Sequence, residues 1–345
     1  MKLTTATQPN HEVKERTDLF TPTPQLEVEE IQAPTFQKEY QKSPFLEANT
    51  KSIKLTSLRS DCIIPVFAKD NERTIAHQEF IETTNECVNE VFNHHAISMP
   101  EIRVSHQIKG RIPEAIHKPA KELLDFEKTQ YFERMAFVIR LPSIVETINE
   151  NPLSLMVGGV RAYNKENLHS RKSLEKFQVF IGFQNMVCCN LCISTDGFSE
   201  EIRVGNCFDL KEKITDLLQT YNMENHIHNM QELPQHSLTE TQFAQLIGRS
   251  RLYQYLPKKE KKHLPELLLN DGQINSITKD YYNDESFSRN EKGYINLWNL
   301  YNLFTSSVKS SYIDTFLDRN ANSYEFLVGL KKALSGDSCH SWFLS

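Results

Sequence analysis

The sequence lacks any long hydrophobic run. No stretch approaches the ~18 consecutive apolar residues that a membrane-spanning helix needs, and residues 1–15 hold no apolar block after Lys2, so neither a membrane segment nor a secretory signal is expected. A disulfide scaffold is also missing. Seven cysteines is an odd number, and three of them crowd at 188, 189 and 192 instead of spacing out as a stapled framework would. The thiols are expected to be reduced and the compartment to be the cytoplasm. There is no G-x-x-x-x-G-K-[ST], G-x-G-x-x-G, H-E-x-x-H or G-x-S-x-G. The odds of a P-loop NTPase, dinucleotide enzyme, zincin or serine hydrolase fall accordingly, and no cofactor is expected.

What the chain has is enough apolar mass for a core. Of 345 residues 39% are hydrophobic, and twenty Phe and twelve Tyr supply large apolar bodies. The formal charge is −6. Residues 1–50 hold eight acids and five bases, leaving 37 acids and 34 bases for the rest, so the body is close to neutral. Pro9, Pro22, Pro24, Pro34 and Pro44 fall in this first stretch, among Thr, Gln and Glu with no lasting hydrophobic period. Such a segment cannot bury enough apolar area to offset the entropy of ordering it, so 1–50 reads as a disordered tail from which Phe45-Leu46 can still dock.

Residues 62–67 read as an edge strand, because Pro65 cannot donate to a ladder. Helical spacing predicts a helix over 75–92, and Pro119 suits the first turn of another over 119–131. Val-, Ile- and Phe-rich runs at 134–141, 153–163, 176–183, 186–195 and 201–204 read as strands, with Asp196-Gly197 as a tight hairpin turn. After Gly205 the pattern becomes helical. Asp209 with Glu212 and Ser237 with Glu240 look like capping boxes, and helices follow over 274–282, 295–305, 312–317 and 324–334. Strands first and helices afterwards predict an α+β fold. Its expected parts are a β-rich portion over 51–207 and a mainly helical portion over 208–345, packed as one continuous domain.

Several groups could carry chemistry. Cys189 and Cys192 have the spacing of a CxxC pair, but zinc needs two more ligands at suitable spacing; buried apolar thiols are the simpler reading. His226 and His228, and the pair His94-His95, do not share a helix face, and no metal is expected there. Asp314 and Asp318 share one if their helix forms, and paired carboxylates can hold a divalent ion; a solvated face is the plainer alternative. Gly158-Gly159 opens a segment whose residues 158–178 hold five bases against two acids. Arg161, Lys165, Arg171, Lys172 and Lys176 could meet phosphates while Tyr163 stacks on a base; the bland alternative is a solvated connector. Lys258-Lys259-Glu260-Lys261-Lys262-His263 forms a second basic cluster, explained by the dipole of a preceding helix end. The aromatic terminus Ser341-Trp342-Phe343-Leu344-Ser345 either binds a partner or tucks onto the core.

Gly158-Gly159-Val160-Arg161-Ala162-Tyr163-Asn164, Val187-Cys188-Cys189-Asn190-Leu191-Cys192 and Leu297-Trp298-Asn299-Leu300-Tyr301-Asn302 resemble blocks of a bacterial domain-of-unknown-function family carried on mobile elements, similar to the phage/plasmid-like proteins. The resemblance runs from about residue 53 to the C-terminus. It implies a gene context and supplies no catalytic residues. Three functions are expected in turn: a mobile-element accessory protein binding DNA, single-stranded or duplex; a non-enzymatic protein that holds a phage, plasmid or host protein; and a metal-dependent nuclease using Asp314, Asp318 or Asp196.

Overall fold

Antiparallel strands dominate the first half, placed by runs rich in Val, Ile and Phe. In the computed structural model, which describes residues 44–62, 74–166, 173–336 and 339–345, they form a seven-stranded sheet. Its members are β1 (Lys51–Ile53), β2 (Glu101–Val104), β5 (Arg134–Ile148), β6 (Asn151–Ala162), β7 (Glu175–Asn185), β8 (Leu191–Cys192) and β9 (Phe198–Val204). The order is β1-β2-β5-β6-β7-β8. β9 also pairs with β7, so β8 and β9 share its outer edge end to end. Two further strands, β3 (Gln107–Arg111) and β4 (Lys128–Phe132), pair with each other to form a separate ribbon.

Successive residues of a strand face opposite sides, and both sides of this sheet are covered. Phe80 of α2 (His77–Val91), after the short α1 (Leu55–Asp61), lies on Phe137 and Phe177, with ring centroids 5.1 and 4.8 Å away. A Cβ at Gly159 would come within 2.4 Å of the Phe80 ring. Gln178, one residue on from Phe177, points the other way and donates to Asp318 of α9 (Ile313–Leu334) at 2.9 Å. Central β6 is therefore buried along nearly its whole length. The glycine pair sits inside this strand, where Phe180 and Phe80 press on it from opposite sides, and not in a solvated connector.

Helices fill the second half: α3 (Cys207–Thr220), α4 (Met223–Glu232), α5 (Glu240–Tyr255), α6 (Lys258–Lys261), α7 (Asp271–Asn283), α8 (Leu297–Val308) and α9. β10 (Ser237–Leu238) and β11 (Ile295–Asn296) pair between them. The α+β class therefore stands. All described residues belong to one compact unit, Gln41–Ser345.

Local corrections have local causes. Asn206, not Asp209, caps α3, accepting from Asp209 N at 2.9 Å. Thr239 with Gln242, not Ser237 with Glu240, forms the box that opens α5. Residues 195–197 form a single 3-10 turn joining two strands that each pair with β7, so no hairpin exists there. The expected strand over 186–195 is mostly a turn, with Cys189 at φ 59°. The helices expected over 312–317 and 324–334 are one helix. Phe45 and Leu46 are buried, and Glu47 N donates to Lys309 O at 3.0 Å, so ordered packing begins before residue 51. The rest of the tail and nearly all of the 62–67 strand lie outside the described residues.

Candidate functional site

Arg161 is a strand residue on the α2-facing side of β6, beside Gly159 and Val157, so burial follows from its register. Its guanidinium sits 4.5 Å from the Tyr163 ring and 4.5 Å from the Phe177 ring. It bonds Glu166 at 3.0 Å, Glu175 and the Ile75 carbonyl. Burial opposes the charge, but Tyr163, Glu166 and Glu175 outweigh it, and the guanidinium's pKa is raised. Tyr163 is also buried, its ring centroid 4.5 Å from that of His77. Burial first, and Arg161 second, push the His77 pKa down to about 3. Tyr163 Oη and His77 Nδ1 are buried without a hydrogen-bond partner. Arg161 and Tyr163 are thus parts of the interior, and neither reaches a polynucleotide.

Lys165 and Lys176 do reach a surface. With Gln178, Glu201 and Asp318 they line a cleft of about 240 Å³. Lys165 donates to the Asp314 carbonyl, and Lys176 pairs with Glu201 at 2.7 Å. Arg203 and Lys176 together hold the Glu201 carboxyl down to about 2. Each of the connector bases Arg161, Lys165 and Lys176 already has an oxygen partner. Arg171 and Lys172 lie outside the described residues.

The carboxylates do not converge. Asp318 lines this cleft, while Asp314 lines a neighbouring one with Arg134, 3.8 Å away. Asp196 belongs to a third place, where it accepts from Ser194 Oγ at 2.6 Å and Asn222 N at 3.3 Å. Among the described residues no three His, Cys, Asp or Glu side chains gather as a metal site requires. His226 is buried against Tyr221, whose hydroxyl lies 2.6 Å from its Nδ1, and burial pushes its pKa down to about 3.

Reading the sequence for a helix over 119–131 missed an exposed feature, an arm. The β3–β4 ribbon carries a tip, residues 112–127, made of three one-turn 3-10 helices. Its organiser is Glu127, only 5% exposed, which accepts from Leu124 N at 2.9 Å and pairs with Lys118. Lys118 first, and the Leu124 amide second, lower the Glu127 pKa. Arg111 donates to the Lys118 carbonyl and Ile112 N to the Glu127 carbonyl, so the tip is held from both sides. The surface it presents holds Ile116, Leu124 and Phe126, the last 68% exposed. At the base, His77 Nε2 lies 2.8 Å from the Phe132 carbonyl and Gln130 donates to the Asp61 carbonyl at 2.9 Å.

A family described as "Domain of unknown function, B. Theta Gene description (DUF3871)" matches residues 27–344. The chain belongs to this family. No curated protein and no solved structure matches it.

Two of the sequence blocks noted above meet in space within this family's span. Asn302 of α8 accepts from Asn185 Nδ2 at 2.9 Å, and its backbone carbonyl accepts from Asn190 Nδ2 at 2.9 Å. Asn302 Nδ2 returns to the Trp298 carbonyl at 2.9 Å. These amides pin the Cys188–Asn190 turn to α8, which makes both blocks structural. Cys188 and Cys192 are thiols whose pKa values burial raises, that of Cys188 to about 12, so they are not thiolates at neutral pH. The aromatic terminus docks: Phe343 is fully buried, 4.8 Å from Phe326 by ring centroids, and Arg249 lies over Trp342.

Proposed function

We propose that the protein is a non-enzymatic interaction module that holds another protein by the tip of its β3–β4 arm. The observation that supports this is the tip itself: Ile116, Leu124 and Phe126 stand exposed on a loop fixed by the buried Glu127. Exposed apolar clusters on ordered surfaces mark binding sites, and a loop already ordered before binding avoids the entropy of ordering. Phe126 is the anchor, the kind of aromatic that dominates binding energy. The partner presents an apolar pocket with both charge signs at its rim, because exposed Glu114, Lys121, Glu122 and Asp125 belong to the same tip as the anchor. Such an arm suits a cytoplasmic accessory protein of a mobile element, the setting that the sequence resemblance implies, where the partner is a phage, plasmid or host protein.

The test is affinity capture with the full chain and its Phe126→Asp and Ile116→Asp variants, both exposed positions that leave the core intact. One protein should be enriched by the wild type and lost about tenfold or more with Phe126→Asp, a hot-spot-sized effect. Equal enrichment by the wild type and both variants defeats the reading.

A further inference from the structure

We infer that the turn joining α5 to α6 is a second, independent binding surface whose ligand is single-stranded nucleic acid. Residues 249–263 hold six Lys or Arg and one acid, in a chain whose formal charge is −6. Three of the six bases serve the fold. Arg249 lies over Trp342 and donates to the Ser345 carbonyl at 2.9 Å. Arg251 pairs with Asp271 at 3.1 Å. Lys261 donates to the Gln254 carbonyl at 3.0 Å, capping the end of α5. The helix-end explanation therefore accounts for Lys261 but not for its neighbours. Lys258, Lys259 and Lys262 are exposed, and among the described residues none has an ion pair or side-chain hydrogen bond.

Beside them the last turns of α5 show solvent an apolar stripe. Leu252 is 58% and Tyr255 83% exposed, three positions apart and so on one helix face. Neither belongs to the hydrophobic core or to the side chains packed against it. Free bases next to an unpacked aromatic ring are the two components of single-strand binding: ammonium groups meet phosphates, and a base stacks on the ring. A duplex keeps its bases stacked inside and offers Tyr255 nothing to stack on. An acidic peptide answers the lysines but not the ring. The surface departs from the expected one, since the bases of the 158–178 segment that the structure describes are already matched by oxygens while these are not.

The experiment is fluorescence anisotropy of a labelled oligothymidylate of about 12 nucleotides against the full chain, in a salt series from about 25 to 200 mM. Three phosphate contacts at roughly −0.7 each give a slope of about −2 in log affinity against log salt. Lys258→Glu/Lys259→Glu/Lys262→Glu should abolish binding, and Tyr255→Ala should weaken it about tenfold, within the range for one lost stack. Phe126→Asp should leave it unchanged, so this inference and the arm reading fail separately. No binding at the lowest salt overturns the inference. So does equal binding by the triple variant, or tighter binding of a duplex, a polyglutamate peptide or anionic vesicles than of the oligonucleotide.

Discussion

Replacing Arg161 by Met tests whether its segment is interior or ligand-facing. The side chain is fully buried between Tyr163 and Phe177 and faces Glu166 and Glu175. Methionine fills similar space without the charge, so two buried carboxylates lose the cation they share. Removing one partner of a buried pair costs about 3–5 kcal/mol, against a total of roughly 5–15 kcal/mol for a folded domain. With a urea m-value near 3 kcal/mol/M for a chain of this size, the unfolding midpoint should fall by about 1 to 2 M. Far-UV circular dichroism across a urea series reads it. The companion Arg161→Met/Glu166→Gln/Glu175→Gln should recover at least half of the loss, because neutral replacement of a whole buried network is often tolerated. Arg161→Lys should not rescue, since an ammonium cannot span both carboxylates and the Ile75 carbonyl as the guanidinium fork does. The reasoning is refuted if Arg161→Met unfolds within about 0.3 M of wild type and instead loses oligonucleotide binding, for then the arginine faces a ligand.

Gly329→Ala in α9 places a Cβ 2.1 Å from the His340 ring, so that ring must rotate away or the C-terminal turn that carries it must shift. A loss of about 1–3 kcal/mol is expected, as for overpacking, read in denaturant titrations; unchanged stability would show that His340 does not pack on α9. Asn302→Asp keeps the shape but sets a carboxylate oxygen against the Trp298 carbonyl, and should lower stability by about 2–4 kcal/mol in denaturant titrations. Unaltered stability there would show that the amide cluster is not holding the Cys188–Asn190 turn. Buried, neutral His77 and His226 titrate near 3 when folded and near 6.5 when unfolded. The unfolded chain therefore binds more protons between those values, and their contribution, full above pH 6.5, is lost as pH falls. The urea midpoint should drop between pH 6.5 and 5, above the ordinary carboxylate range, with His226→Phe reducing the drop. A flat profile would mean that the rings are solvated.

The fold class was legible because Val-, Ile- and Phe-rich runs and period-3.6 stripes are properties of single elements: β5, β6, β7 and the helices α3, α5, α7, α8 and α9 each bury enough apolar residues to declare themselves. Sites were less legible because they depend on which face a neighbour covers. Arg161 has the composition of a surface base, and only the approach of Phe80 to Gly159, far apart in sequence, converts its side of β6 into core. Contact of this kind leaves no mark at position 161. The Gly158-Gly159 pair was informative but misread. Glycines in a strand mark either a turn or a backbone that a ring must approach, and the apolar residues that flank this pair, Leu155-Met156-Val157 before it and Val160 after it, decide for the second. The same consideration separates the two lysine groups. Lys176 lies in a strand opposite an acid-bearing partner, so a cross-strand pair with Glu201 was available to it. Lys258 and Lys259 start a four-residue helix outside any sheet, with Glu260 as their only near acid in sequence. Charge that a partner strand can neutralise belongs to the fold. Charge carried by a short exposed turn, beside an aromatic ring the core does not use, remains for a ligand.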